Sequence, residues 1–136
     1  MKPATKPWID KAEADYKAAL VLNRQRKHPL PDQICFHCQQ CAEKYLKAFL
    51  VETTIRFPKT HELIDLLALA TPVDSSLSTL MPEFQFLTDF AVDYRYPGLV
   101  AKPQDARDAI EAIRAVRAAI RKRLGIKPPP RRKKKP

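Results

Sequence analysis

The sequence predicts an all-α, up-and-down bundle of four to five helices. Apolar residues recur every three to four positions through several long segments, the period of a helix with one buried face. No stretch alternates apolar and polar residues as a half-buried strand would. Gly98 and Gly125 are the only glycines, and the 13 prolines cluster at segment ends and in the C-terminal tail. Short connections between such helices favour antiparallel neighbours.

The first helix is expected from Trp8 to about Arg26, with Thr5 as N-cap and Pro7 suited to a first turn. Its buried stripe is Trp8, Ala12, Tyr16, Ala19 and Leu20. Lys27 to Pro31 breaks it, because each proline disfavours helix at the residue before it, and His28 should face solvent there. The second helix, Asp32 to Thr54, contains no glycine and no internal proline, and Asp32 is a good N-cap. Ile34, Cys35, Cys38, Cys41, Ala42, Tyr45, Leu46, Ala48 and Phe49 give it a wide apolar stripe, so it should lie centrally in the core. Gln33, His37, Gln40, Lys44 and Lys47 line up on the other face, and Glu43 precedes Lys47 by four residues, the favourable order for a helical ion pair.

Arg56 to Lys59 turns the chain into a third helix, His61 to Ala70, with Thr60 as N-cap. Thr71-Pro72 stops it, and Asp74 to Leu80 allows a short helical turn. A fourth helix starts near Pro82 with the stripe Phe84, Leu87, Phe90, Ala91 and Tyr94, and Pro97-Gly98 closes it. The last helix runs from about Gln104 to Leu124, with acids early, bases late and Gly125 as its C-terminal cap. Arg107, Arg114 and Arg121 should share its outer face.

A chain of 136 residues is long enough for one core. Of the net charge of +10, six positive charges fall in residues 127–136, which leaves +4 for the rest. A helical domain over residues 1–126 and a disordered basic tail over 127–136 are therefore expected. Such a tail is an electrostatic footprint for nucleic acid. No apolar run approaches the ~20 residues of a membrane span, and the N-terminus lacks the apolar core of a secretory signal. No membrane association and a cytoplasmic location are expected.

Cys35, Cys38 and Cys41 are spaced like overlapping metal-binding pairs, with His37 between. Six residues of helix rise by roughly 9 Å, too far for one ion, and no second pair completes a site. They read as small core residues, and neither metal nor cofactor is expected. His61, at a helix N-terminus, would tend to be neutral and could act as a base or make a structural hydrogen bond. Tyr94-Arg95-Tyr96 combines a planar phosphate fork with stacking faces, or else an arginine tied to a carboxylate between tyrosines that fill the bundle rim.

Three stretches resemble the HEPN domain family. Gln39 to Leu50 is similar to its second-helix signature of glutamine, a small residue, Glu-Lys and Leu-Lys-Ala. Lys59 to Leu63 resembles its Thr-His-acid-Leu, and Arg95-Tyr96-Pro97 its Arg-Tyr-Pro, so the resemblance spans roughly residues 8–124. It implies a helical bundle, usually a homodimer, often encoded beside a minimal nucleotidyltransferase in what looks like a toxin–antitoxin pair. Some members are metal-independent ribonucleases with an Arg-x4-6-His motif. Here no histidine follows Arg95, and the Arg56/His61 pair with that gap straddles the connection between the second and third helices.

The leading expectation is a domain that binds a nucleotide or RNA and partners a nucleotidyltransferase. Lys44 and Lys47 would contact phosphate, Arg95 would clamp it, Tyr96 would stack, His61 would join the site, and Gln40 and Glu43 would orient. The alternatives are a metal-independent endoribonuclease toxin using Arg95 with His61 or a tyrosine, and a pure protein-interaction module. The Gln40–Lys47 face could equally be a dimer interface or a solvated surface.

Overall fold

Proline and side-chain hydrogen bonds set where each helix begins, and in several places they move the start from the expected residue. The computed structural model describes residues 1–92, 97–98 and 100–128, and for 90–92 the backbone alone. Within these residues the chain forms α1 (Lys6–Arg24), α2 (Pro31–Glu52), α3 (Leu63–Ala70), a 3-10 helix (Ser75–Leu80), α4 (Met81–Val92) and α5 (Pro103–Arg123). The expected all-α bundle is what is found.

α1 begins at Lys6 because Pro7 fits a first turn. Thr5 stands at the N-cap, but its hydroxyl donates to Glu52 Oε1 at 2.9 Å instead of capping. The backbone N–H of Lys2 reaches the same oxygen at 2.9 Å, so the start of the chain is fastened to the end of α2. α2 opens one residue earlier than expected, at Pro31, whose missing N–H costs nothing in a first turn. Asp32 is therefore inside the helix. Its carboxylate accepts the N–H of Ala101 at 2.6 Å and ties α2 to the segment that enters α5.

α3 starts at Leu63, two residues later than expected. The Thr60 hydroxyl accepts the N–H of Glu62 at 3.1 Å, which holds residues 60–62 in a turn. Asp74 caps the 3-10 helix through the N–H of Ser76, and Asp105 accepts the N–H of Lys102 at the start of α5. Gly125 closes α5 just past its last residue: its positive φ of 74° lets the Ile126 N–H bond back to the Arg121 carbonyl at 2.9 Å. Gly98 also has a positive φ, 93°, at the expected Pro97-Gly98 turn.

α2 is the spine: it packs against α1, α3, α4 and α5. Its Tyr45, Leu46 and Leu50 are fully buried among Leu63, Leu66 and Leu67 of α3, Phe84 and Leu87 of α4, and Ile113 and Ile120 of α5. The small Ala12 and Ala19 of α1 and Ala42 and Ala48 of α2 are also fully buried, as expected where two helices approach closely. The remaining expected stripe of α4 (Phe90, Ala91 and Tyr94) lies outside the described side chains. The expected tail lies outside the described residues from position 129 onward.

All three cysteines are buried. Burial, then the charges of Asp105 and Asp32, pushes the Cys35 thiol up to about 12, and burial raises Cys38 and Cys41 as well. They act as small apolar side chains. Among the described residues, no helix is long and apolar enough to cross a membrane.

Candidate functional site

α2 presents three polar clusters to its neighbours, each built on one carboxylate. The first is Glu43 with Lys47 and His61. The Lys47 ammonium lies 3.2 Å from Glu43 Oε2, with both side chains almost wholly buried, at 7% and 4% exposure. Trp8 and Phe57, packed edge to face with centroids 6.0 Å apart, cover Lys47, whose ammonium lies 5.5 and 5.8 Å from their centroids. His61 Nδ1 lies 2.8 Å from Glu43 Oε1, while 71% of the imidazole is exposed. Facing a carboxylate, Nδ1 is the donor, which leaves Nε2 on the solvent side of the ring. Gln39 Nε2 holds the His61 carbonyl at 3.3 Å, and Gln40 Nε2 donates to Gln39 Oε1 at 2.7 Å. The later start of α3 is what leaves His61 in the turn that faces Glu43.

The second cluster gathers on Asp15 of α1, which pairs with the Lys44 ammonium and with His37 Nδ1 at 2.8 Å. The third gathers on Glu13. Arg117 grips its two oxygens in a fork at 2.8 and 2.6 Å, Tyr45 donates at 2.6 Å, and Arg121 reaches it at 3.2 Å. Arg121 also donates to the Tyr45 oxygen at 3.1 Å, and the Arg117 guanidinium lies 4.5 Å from the Tyr16 ring centroid. Burial works against the Glu13 charge, but the hydrogen bonds from Arg117 and Tyr45 and both arginine charges outweigh it, so its carboxyl sits below the usual value. Burial, with the bond to Glu13, raises the Tyr45 phenol.

Of the residues singled out from sequence, Gln40, Glu43, Lys47 and His61 come together. Lys44 belongs to the Asp15 cluster instead. Lys47 is internal because two aromatic rings cover it, and the same burial keeps it from meeting a ligand phosphate. Arg95 and Tyr96, with Tyr94, lie outside the described residues. Arg107 and Arg114 are exposed as expected, whereas Arg121 turns inward to Glu13. Sequence reasoning missed Glu13, Asp15 and Arg117. One signal was present: a tyrosine in a buried stripe needs a partner for its hydroxyl.

Beyond the Glu13 cluster, the C-terminal end of α5 forms a cleft lined by Arg117, Arg121, Lys122 and Lys127 on its cationic side. Among the described residues, no group of three or more His, Cys, Asp or Glu side chains is placed to hold a metal ion.

No curated protein matches the chain. The crystal structure of ST0689, an archaeal HEPN homologue, is similar to it with a TM-score of 0.68 at 23% identity, over 91% of this chain and 99% of that one. That likeness concerns the fold. The family model described as the HEPN domain matches residues 5–123, which take in all five α-helices and every cluster above. The chain belongs to the HEPN domain family.

Proposed function

We propose that this HEPN domain binds RNA through its phosphates and works with a minimal nucleotidyltransferase as a toxin–antitoxin-like pair, as a cytoplasmic homodimer. The observation that carries the RNA reading is the concentration of positive charge at one end. Four cations line the cleft at the end of α5, and Arg131, Arg132, Lys133, Lys134 and Lys135 follow in sequence. Arg95 would add a phosphate clamp and Tyr96 a stacking face. The pairing and the dimer come from the family resemblance.

The test is retention of single-stranded RNA by the full chain, and by one ending at Pro128, as salt is raised. Each cation that neutralises a phosphate contributes roughly 0.7 to the slope of log affinity against log salt. Removing the five tail cations should flatten that slope by up to about 3.5. Identical slopes would take the tail out of the interface, and no retention at low salt by either chain would leave a protein-interaction module.

A second reading, ribonuclease activity, is favoured by one observation: the exposed imidazole of His61 is oriented by the buried carboxylate of Glu43. A neutral Nε2 so held can take a proton from a ribose hydroxyl. Under this reading, metal-free cleavage of labelled RNA should fall at least about 100-fold in His61→Ala, the usual scale of general-base loss. Cleavage that survives His61→Ala but disappears in Arg95→Ala would remove His61 from the chemistry.

A further inference from the structure

The cleft at the end of α5 has a feature that phosphate binding alone does not need, an apolar floor. Ala118, Ile126 and Pro128 supply it, beside the cationic side. The turn at Gly125 creates it by folding Ile126 back, half-buried, against the core. The cleft has a volume of about 540 Å³. That lies in the range of roughly 300–1,000 Å³ typical of small-molecule sites. Its cations are not equivalent. Arg117 and Arg121 share the single charge of Glu13. Lys122 and Lys127 are exposed. Neither is among the carboxylate pairs of the described residues.

We propose that this cleft seats one unpaired nucleotide of an RNA strand, its base on the floor of Ala118, Ile126 and Pro128 and its phosphate on Lys122 and Lys127. The inference rests on the RNA reading and narrows it from polyanions in general to single strands. A duplex keeps its bases stacked inside and offers only phosphate and ribose, so it can use the cations but not the floor. An unpaired base has a free face that buries well on an apolar surface. An acidic peptide with apolar side chains is the competing occupant. The sequence after the cleft favours RNA, because five further cations with no apolar residue suit a regularly repeated anion.

The experiment compares fluorescence anisotropy of labelled single-stranded and duplex RNA of equal length, with the full-length protein, Lys122→Ala and Ile126→Asp. Circular dichroism verifies that each variant is folded, and Ile126→Ala serves if the aspartate variant is not. The wild-type chain should prefer the single strand by roughly tenfold, the effect of burying one base face. Ile126→Ala should bring that ratio close to one while duplex affinity holds, and Ile126→Asp should do the same to the ratio while its added charge weakens both RNAs. Lys122→Ala should weaken both. Equal affinity for the two RNAs, or a preference that survives in the folded Ile126 variant, would overturn the inference while leaving the RNA reading intact. Absence of binding to either RNA would overturn both. Binding of a labelled Glu/Leu peptide that Ile126→Asp abolishes, with no strand preference, would give the cleft to a protein segment.

Discussion

Replacing Lys47 with alanine should cost about 3 kcal/mol, whereas replacing Glu43 and Lys47 together with leucine and methionine should restore most of that loss. The asymmetry follows from burial. With Lys47 gone, Glu43 stays inside with its charge facing only His61, and an uncompensated buried charge is expensive. The alanine also removes an aliphatic stem and a cation from beneath Trp8 and Phe57. With both charges replaced by apolar groups of similar volume, there is no charge left to desolvate. His61 loses its partner in the double variant, but its ring is mostly in water and can be solvated there. Thermal unfolding measures both effects, and a drop of roughly 10 °C is expected for Lys47→Ala. A single variant within about 0.5 kcal/mol of the wild type would show that the pair contributes no more than an exposed one.

Glu13→Ala should be nearly as disruptive, at about 2 kcal/mol, because it strands three donors at once. Arg117 and Arg121 would face each other without their shared anion, and the Tyr45 hydroxyl would lose its acceptor. The cost stays below that of the Glu43 site because 32% of the Glu13 side chain meets solvent. This carboxylate also leaves a pH signature. Its carboxyl lies below the usual glutamate value of 4.5 in the folded chain. Its contribution is therefore fully present above about pH 4.5 and is lost as the pH falls through the lower folded value. Denaturant unfolding between neutral and acidic pH should show a shallower fall for Glu13→Gln than for the wild type. Part of the fall will persist, since hydrogen bonds and neighbouring cations also lower Asp74 and Glu52. An unchanged pH profile in Glu13→Gln would sink the assignment.

The helices were legible because each carries a face whose burial is written in spacing alone. Ile34 to Phe49 needs no knowledge of its partners to be read as a central helix. The shifted starts were less legible, because they depend on competition between a residue and its neighbour. Asp32 looks like a cap until Pro31 takes the first helical position, and Thr60 looks like one until its hydroxyl holds a turn instead. The Glu43–Lys47 pair was legible because it is local, four residues apart on one helix. Its burial was not, because Trp8 and Phe57 come from opposite sides of α2 in sequence. The Glu13 cluster was invisible for the same reason on a larger scale: Arg117 lies 104 residues from Glu13. Side chains on one helix can be aligned by counting, whereas side chains that meet across three helices depend on how those helices are rotated.

The central position of α2 also governs how the molecule can come apart. A helix at the rim can detach by releasing one neighbour, but α2 touches all four of the other α-helices. The backbone amides of its buried central turns, around Cys41 to Leu50, should exchange with solvent only when the bundle opens, whereas its first turn, with Gln33 and Phe36 exposed, can fray. A protease would find purchase at exposed positions such as the loop from Arg26 to Leu30, and not on the spine. Cleavage within the spine, unlike a cut in that loop, would be paced by unfolding of the bundle, so substitutions in the three carboxylate clusters would alter its rate even where binding is untouched.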